Sequence, residues 1–177
     1  MRSIIVLPLV AALALTACGR DDKPKSEEEV KDAMANMVKP TPGLYRSTAK
    51  LMSFDVPGMP PAQAERMKEM FSQQQGRDFC LTKAEADKGY EEMTKKLAEG
   101  NCKYDRFDAR GNTLDAKLTC QTGKDMTATI EMKGTMSAEG SQMRMKVAQA
   151  APNMPNGGQV KMEADVASQR IGDCPGG

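Results

Sequence analysis

The sequence predicts an α+β domain: an antiparallel β-meander of about six strands whose one apolar face is covered by two helices. Three observations carry that expectation. Apolar and polar residues alternate with period 2 over most of the chain beyond Asn101, apolar residues recur at helical spacing between residues 61 and 99, and Pro- or Gly-marked turns separate the segments. A sheet with one wet and one apolar face has to bury the apolar one, and the two helical stripes are its nearest cover. A partly closed β-barrel of the same strands is the runner-up.

The chain opens with Arg2 and a run from Ile4 to Leu15 that is apolar except for Pro8. Twelve residues rise only about 18 Å as a helix, well short of the roughly 30 Å hydrocarbon core, so the run reads as a secretory signal over residues 1–17, removed on export. Leu15-Thr16-Ala17-Cys18 resembles the bacterial lipoprotein box, in which the cysteine becomes the mature N-terminus and carries the lipid. Each buried methylene contributes about 0.8 kcal/mol, so several acyl chains on Cys18 hold a domain at a bilayer essentially permanently. Gly19, not Asp, follows the cysteine; by resemblance to Gram-negative lipoproteins this points to the outer membrane and its periplasmic face.

Residues 18–42 are charged and Pro-marked, and read as the lipidated N-terminus and tether of a single domain over 43–177. Within the tether, Ser26 and Glu29 fit a capping box, and Val30, Met34 and Met37 repeat at helical spacing. Gly43 to Asp55 reads as a first strand. A helix starts at Pro60-Pro61 and runs to about Gln75, with Ala64, Met67, Met70 and Phe71 on its apolar side. Phe79-Cys80-Leu81 is a short extended piece. Thr82 and Glu85 form a second capping box, opening a helix whose stripe of Ala86, Tyr90, Met93 and Leu97 continues to Gly100.

Beyond Asn101 the period becomes 2. Met126, Ala128, Ile130, Met132, Gly134 and Met136 alternate with polar residues; Met143, Met145 and Val147 do so again, and then Val160, Met162, Ala164 and Val166. A two-residue turn at Glu139-Gly140 would set Met136 opposite Met143, Gly134 opposite Met145 and Met132 opposite Val147, all on one face. Residues 151–158 are a loop, and the last strand leads to Ile171 and Cys174.

Setting Cys18 aside leaves Cys80, Cys102, Cys120 and Cys174, an even number in an exported chain, where oxidation is the default. Cys102 and Cys120 lie symmetrically about Gly111. A three-residue loop at Arg110-Gly111-Asn112 would place them directly opposite, within the Cα separation a disulfide tolerates. Cys80 is then left with Cys174.

Loss of residues 1–17 removes Arg2 alone from 25 basic residues, leaving 24 against 24 acidic ones and no electrostatic case for nucleic acid. The chain has no histidine, which removes Ser-His-Asp and Cys-His arrangements and the usual zinc site together. No phosphate-loop, nucleophile-elbow, dinucleotide or EF-hand spacing occurs, so no cofactor and no catalytic residue is expected. Asp105, Asp108, Asp115, Glu131 and Asp165 fall on polar strand faces or turns and read as solvated. Methionine is in excess, at 15 residues, with no Trp and few other rings. Met substituting for Leu and Val in the core accounts for most of this. Met132, Met136, Met143 and Met145 are the candidate lining of an adaptable apolar groove. Thioethers also select Cu(I), which makes a copper-handling protein one alternative, and a histidine-free hydrolase another.

Taken together, Val38-Lys39-Pro40 with Pro42-Gly43, the run from Asp55 to Pro61, Phe79-Cys80-Leu81-Thr82, Lys88-Gly89-Tyr90, the run from Ala151 to Pro155, and Arg170-Ile171-Gly172-Asp173-Cys174 resemble the domain-of-unknown-function family 3617. The family comprises lipoproteins common in sphingomonad-type Alphaproteobacteria. The resemblance spans nearly the whole mature chain and implies an exported, cysteine-bridged domain, with no activity and no catalytic residues to carry over. The functional expectation is therefore an envelope lipoprotein that is not an enzyme, membrane-bound through Cys18 and binding a hydrophobic ligand or an envelope protein.

Overall fold

A computed structural model describes residues 24–72, 76–124, 126–150 and 158–176. The expected signal segment, Cys18 and most of the 151–158 loop lie outside them. Its elements are α1 (Glu27–Ala35), β1 (Gly43–Asp55), α2 (Pro61–Ser72), β2 (Arg77–Leu81), α3 (Lys83–Lys88), α4 (Glu91–Glu99), β3 (Cys102–Arg110), β4 (Thr113–Gly123), β5 (Met126–Ser137), β6 (Gly140–Ala150) and β7 (Gln159–Gly172). The strands form one open antiparallel sheet in the order β2-β1-β7-β6-β5-β4-β3.

Seven strands replace the expected six, because the extended piece at Phe79-Cys80-Leu81 pairs with the start of β1. The meander β3 to β7 is as the alternation predicts, but the first strand pairs with the last along almost its full length. That contact joins residues more than 100 apart, and no local pattern encodes it. β2 and β3 are the two edges, so the sheet does not close into a barrel.

The helices differ most from expectation. The capping box of α1 forms, with Ser26 Oγ accepting from the Glu29 N–H at 3.2 Å and Glu29 Oε2 accepting from the Ser26 N–H at 2.8 Å. Three glutamates in its first turn face the positive end of the helix dipole. Far from riding on a tether, α1 delivers Val30 and Met34, followed by Met37, into the same buried cluster as Tyr104, Phe107, Leu114, Ala116, Leu118, Cys120 and Met136. The helix expected from 83 to 99 is two: Gly89, at φ 59°, ends α3 by donating to the carbonyls of Glu85 and Ala86, and Tyr90 donates its hydroxyl to the Val38 carbonyl. Among the cluster's helical members the buried ones come from α1, while Tyr90 and Leu97 pack at its margin. α2 packs along β1, with Ala64 and Met67 half-buried and Met70 and Phe71 exposed.

Two register details differ from the expectation. The β5–β6 turn is Ala138-Glu139, which sets Gly134 opposite Met143, Met132 opposite Met145 and Ile130 opposite Val147. The shift is two residues, so every side chain keeps its face. Close approach selects this register: a Cβ on Gly134 would lie 1.9 Å from the Gln142 carbonyl oxygen. The turn is also held from outside, since the Thr41 N–H donates to Ala138 and the Arg170 N–H to Glu139. In the β3–β4 hairpin the turn has two residues, Gly111-Asn112, and Arg110 faces Thr113. A bulge at Asp105 then restores the one-residue offset, so Cys102 still faces Cys120.

Candidate functional site

The sheet presents two chemically opposite surfaces, set by the pleat. Leu114, Ala116, Leu118 and Cys120 of β4 point to one side, and Thr113, Asp115, Lys117 and Thr119 to the other. Register carries this division across the sheet. The row Asp115, Lys133, Arg144, Asp165, Lys50 runs over five strands on the polar face, and the row Ala116, Met132, Met145, Ala164, Leu51 on the apolar face.

On the polar face an open trough of about 1000 Å³ is lined by Lys50, Arg106, Asp115, Lys133, Arg144 and Asp165, among others. Its carboxylates are partnered. Asp115 accepts from Arg106 at 2.7 Å and lies 3.7 Å from Lys133, and Asp165 accepts from Nε and Nη2 of Arg144 at 2.7 and 2.9 Å. The Arg144 hydrogen bonds hold the Asp165 carboxyl below the usual carboxylate range. Glu131 lies 3.6 Å from Lys117, Asp108 2.8 Å from Arg110, and Asp105 accepts from the Thr119 hydroxyl at 2.7 Å. A cationic partner favours a carboxylate's ionised form, the opposite of what a general acid needs. Among the described residues no group of three Cys, Asp or Glu could hold a metal ion.

The apolar face is uneven. Under α1 it is dry: Leu114 and Leu118 are among the most buried side chains, and Tyr104 and Phe107 meet edge to face at 5.6 Å. Of the four methionines expected to line a groove, Met136 is only 6 % exposed and belongs to the core cluster, with Met132 and Met143 packed against it. All four do share a face, but Met136 is core rather than lining, since it belongs to the same buried cluster as Val30, Met34 and Met37. Met145, with Val147, Ala164 and Val166 on β6 and β7, is half-buried outside that cluster. The helices make their principal sheet contacts with β3 and β1 instead. What remains of the proposed groove is therefore this outer stretch.

Both cysteine pairs stand at disulfide distance, with Cα separations of 5.4 Å for Cys80 and Cys174 and 3.9 Å for Cys102 and Cys120. The first ties β2 to the end of β7 across β1. The same corner is held by Arg46, whose guanidinium donates to both oxygens of Asp78 at 2.7 and 2.8 Å, and by Tyr45 stacked on Phe79 at 5.6 Å. The pairing of Cys80 with Cys174 is the one the sequence predicts, whereas the strand pairing of β2 with β1 and the Arg46–Asp78 ion pair at the same corner carry no local sequence signal.

Among the described residues no helix is long and apolar enough to cross a membrane. No curated protein and no solved structure matches the chain. A family model described as a protein of unknown function, DUF3617, matches residues 40–174, from the approach to β1 through the second cysteine of the corner clip. The match takes in the whole sheet and leaves out α1, and with it the chain belongs to the DUF3617 family.

Proposed function

We propose that the protein is an envelope lipoprotein, held at the periplasmic face of the outer membrane by acyl chains on Cys18, whose sheet binds a hydrophobic ligand or a protein partner and performs no catalysis. The observation that carries the reading is Leu15-Thr16-Ala17-Cys18 at the end of a short apolar run. Four further cysteines in two pairs at disulfide distance suit an oxidising compartment. The half-buried stretch of Met145, Val147, Ala164 and Val166 offers apolar contact area, and Met side chains adapt to irregular partners.

The packing of α1 sharpens the geometry of anchoring. Lys25 donates its N–H to the Tyr104 carbonyl at 3.1 Å, which fixes it against the β3 edge. Seven residue steps separate it from Cys18, a span of at most about 25 Å in any conformation. An acylated Cys18 would hold the β3 edge close to the leaflet, so binding would take place near the membrane surface.

Intact mass of natively produced protein tests the reading. A chain beginning at Cys18 with an added acylated glyceryl mass and no free thiol is expected. An unacylated terminus, or four free thiols, would overturn it.

A further inference from the structure

The two edges of the sheet are treated differently. At β3 the backbone row is interrupted by the bulge at Asp105, bridged by Lys25 and packed by α1, all ways of blunting an edge. At β2 none of these occurs. Its outer backbone row has no partner among the described residues, and α2 packs along β1, which β2 pairs only over Gly43 to Ser47. Of the five large apolar side chains exposed among the described residues, four lie on this edge or close to it in the chain or the sheet. Met70 and Phe71 end the helix that leads to β2, Phe79 is in β2 at 44 % exposure, and Ile171 at 45 % is beside the Cys174 that clips it. Phe79 and Arg170 both face Tyr45 from opposite sides, which puts Ile171 within about 10 Å of Phe79, two strand spacings.

A five-residue exposed strand would ordinarily fray. This one is fixed by a cysteine clip, a two-pronged Arg46–Asp78 ion pair and a ring stack. A rigid edge with an apolar ring beside it is a template for strand addition. We propose that β2 receives an extended segment of a partner protein as an eighth strand, with an apolar residue against Phe79 and an acidic one near Arg77. Charge argues for that occupant over a second copy. Arg77 has no acidic partner among the described residues, Asp78 being engaged by Arg46. Antiparallel self-pairing about Phe79 would set each Arg77 against a Leu81 with no acid to meet it. This inference names the partner class of the binding reading above, but it does not depend on acylation.

The test titrates the mature chain, residues 18–177, with a capped ten-residue peptide of alternating Thr and Val bearing one Glu, and with the same peptide bearing Lys instead. Backbone amide shifts are read by NMR. The proposal expects saturable shifts centred on residues 77–81, at least tenfold weaker binding for Phe79→Ala, and a reversed Glu-over-Lys preference for Arg77→Glu. Because Phe79 also stacks on Tyr45, the exposed Arg77→Glu variant decides if Phe79→Ala disturbs the fold. No saturation up to about 1 mM peptide, shifts centred on Met145 and Val166, an unchanged preference in Arg77→Glu, or a dimer in sedimentation that the peptide fails to dissociate would each overturn it. An unacylated Cys18 would remove the membrane reading and leave this result standing.

Discussion

The two halves of the apolar face are written in the same alternating code and end differently. On β3 and β4 the inward residues share one buried cluster with Val30, Met34 and Met37 and include the most buried leucines among the described residues. On β6 and β7 the inward residues Met145, Val147, Ala164 and Val166 stay half-buried. Strand periodicity says which side of a sheet is apolar; it does not say whether anything lies on it. The difference comes from a segment 70 residues upstream, whose Val30, Met34 and Met37 sit among charges and look, by local composition, like part of a tether.

The comparison can be broken most forcefully at its covalent ties. Replacing Cys80 and Cys174 together by Ser opens a link across 94 residues, and in the chain-entropy model costs about 4 to 5 kcal/mol of unfolding free energy. The closer pair, Cys102 and Cys120, spans 18 residues and should cost about 3 kcal/mol on the same model. Denaturant unfolding of the two double variants measures the difference. Equal losses would mean that the β2 corner is not constraining the chain.

Within the closed half, Leu118→Ala should cost about 3 kcal/mol, since the side chain is fully buried and little can collapse into the gap. Val30→Ala should cost about 1 to 2 kcal/mol, which separates a core helix from a solvated one directly. In the open half, Met145→Ala should cost less than about 1 kcal/mol, because a half-exposed side chain loses little burial. Chemical denaturation of all three orders the two halves, and a Met145 loss as large as that of Leu118 would erase the distinction.

The smallest effect is electrostatic and lies outside both apolar halves, in the Arg46–Asp78 and Arg144–Asp165 pairs. Hydrogen bonds from Arg46 and Arg144 hold the carboxyls of Asp78 and Asp165 below the usual carboxylate range. A depressed folded pKa gives stability that is present above the unfolded value and lost as pH falls through the folded one. Unfolding free energy should therefore decline slightly as pH drops below about 4, and Asp165→Asn should flatten part of that decline. Both groups are exposed, so 1 M salt should weaken the effect further. At the alkaline end burial raises Tyr45, Tyr90 and Tyr104 above 10.0, which keeps their contribution intact up to that pH and loses it beyond.

Much of the sheet was legible because alternation is local. The strands β5, β6 and β7 could be read from Met126, Met143 and Val160 onward, and the Cys102–Cys120 pairing survived a misjudged turn because the bulge at Asp105 offset it. What stayed hidden depends on contacts distant in sequence. The pairing of β1 with β7 is one case, the docking of α1 another, and the promotion of Phe79-Cys80-Leu81 to an edge strand a third. Of the four methionines read as one groove, periodicity gave the shared face correctly, but only packing could show that Met136 lies in the core.

Native-state hydrogen exchange on the mature chain tests the division most directly. If α1 is the lid of the closed half, the amides of residues 31–35 should open only with β4, at free energies near that of global unfolding, while the outward amides of β2 exchange orders of magnitude faster. Exchange of α1 at the rate of a solvated helix, with β4 still protected, would contradict the account.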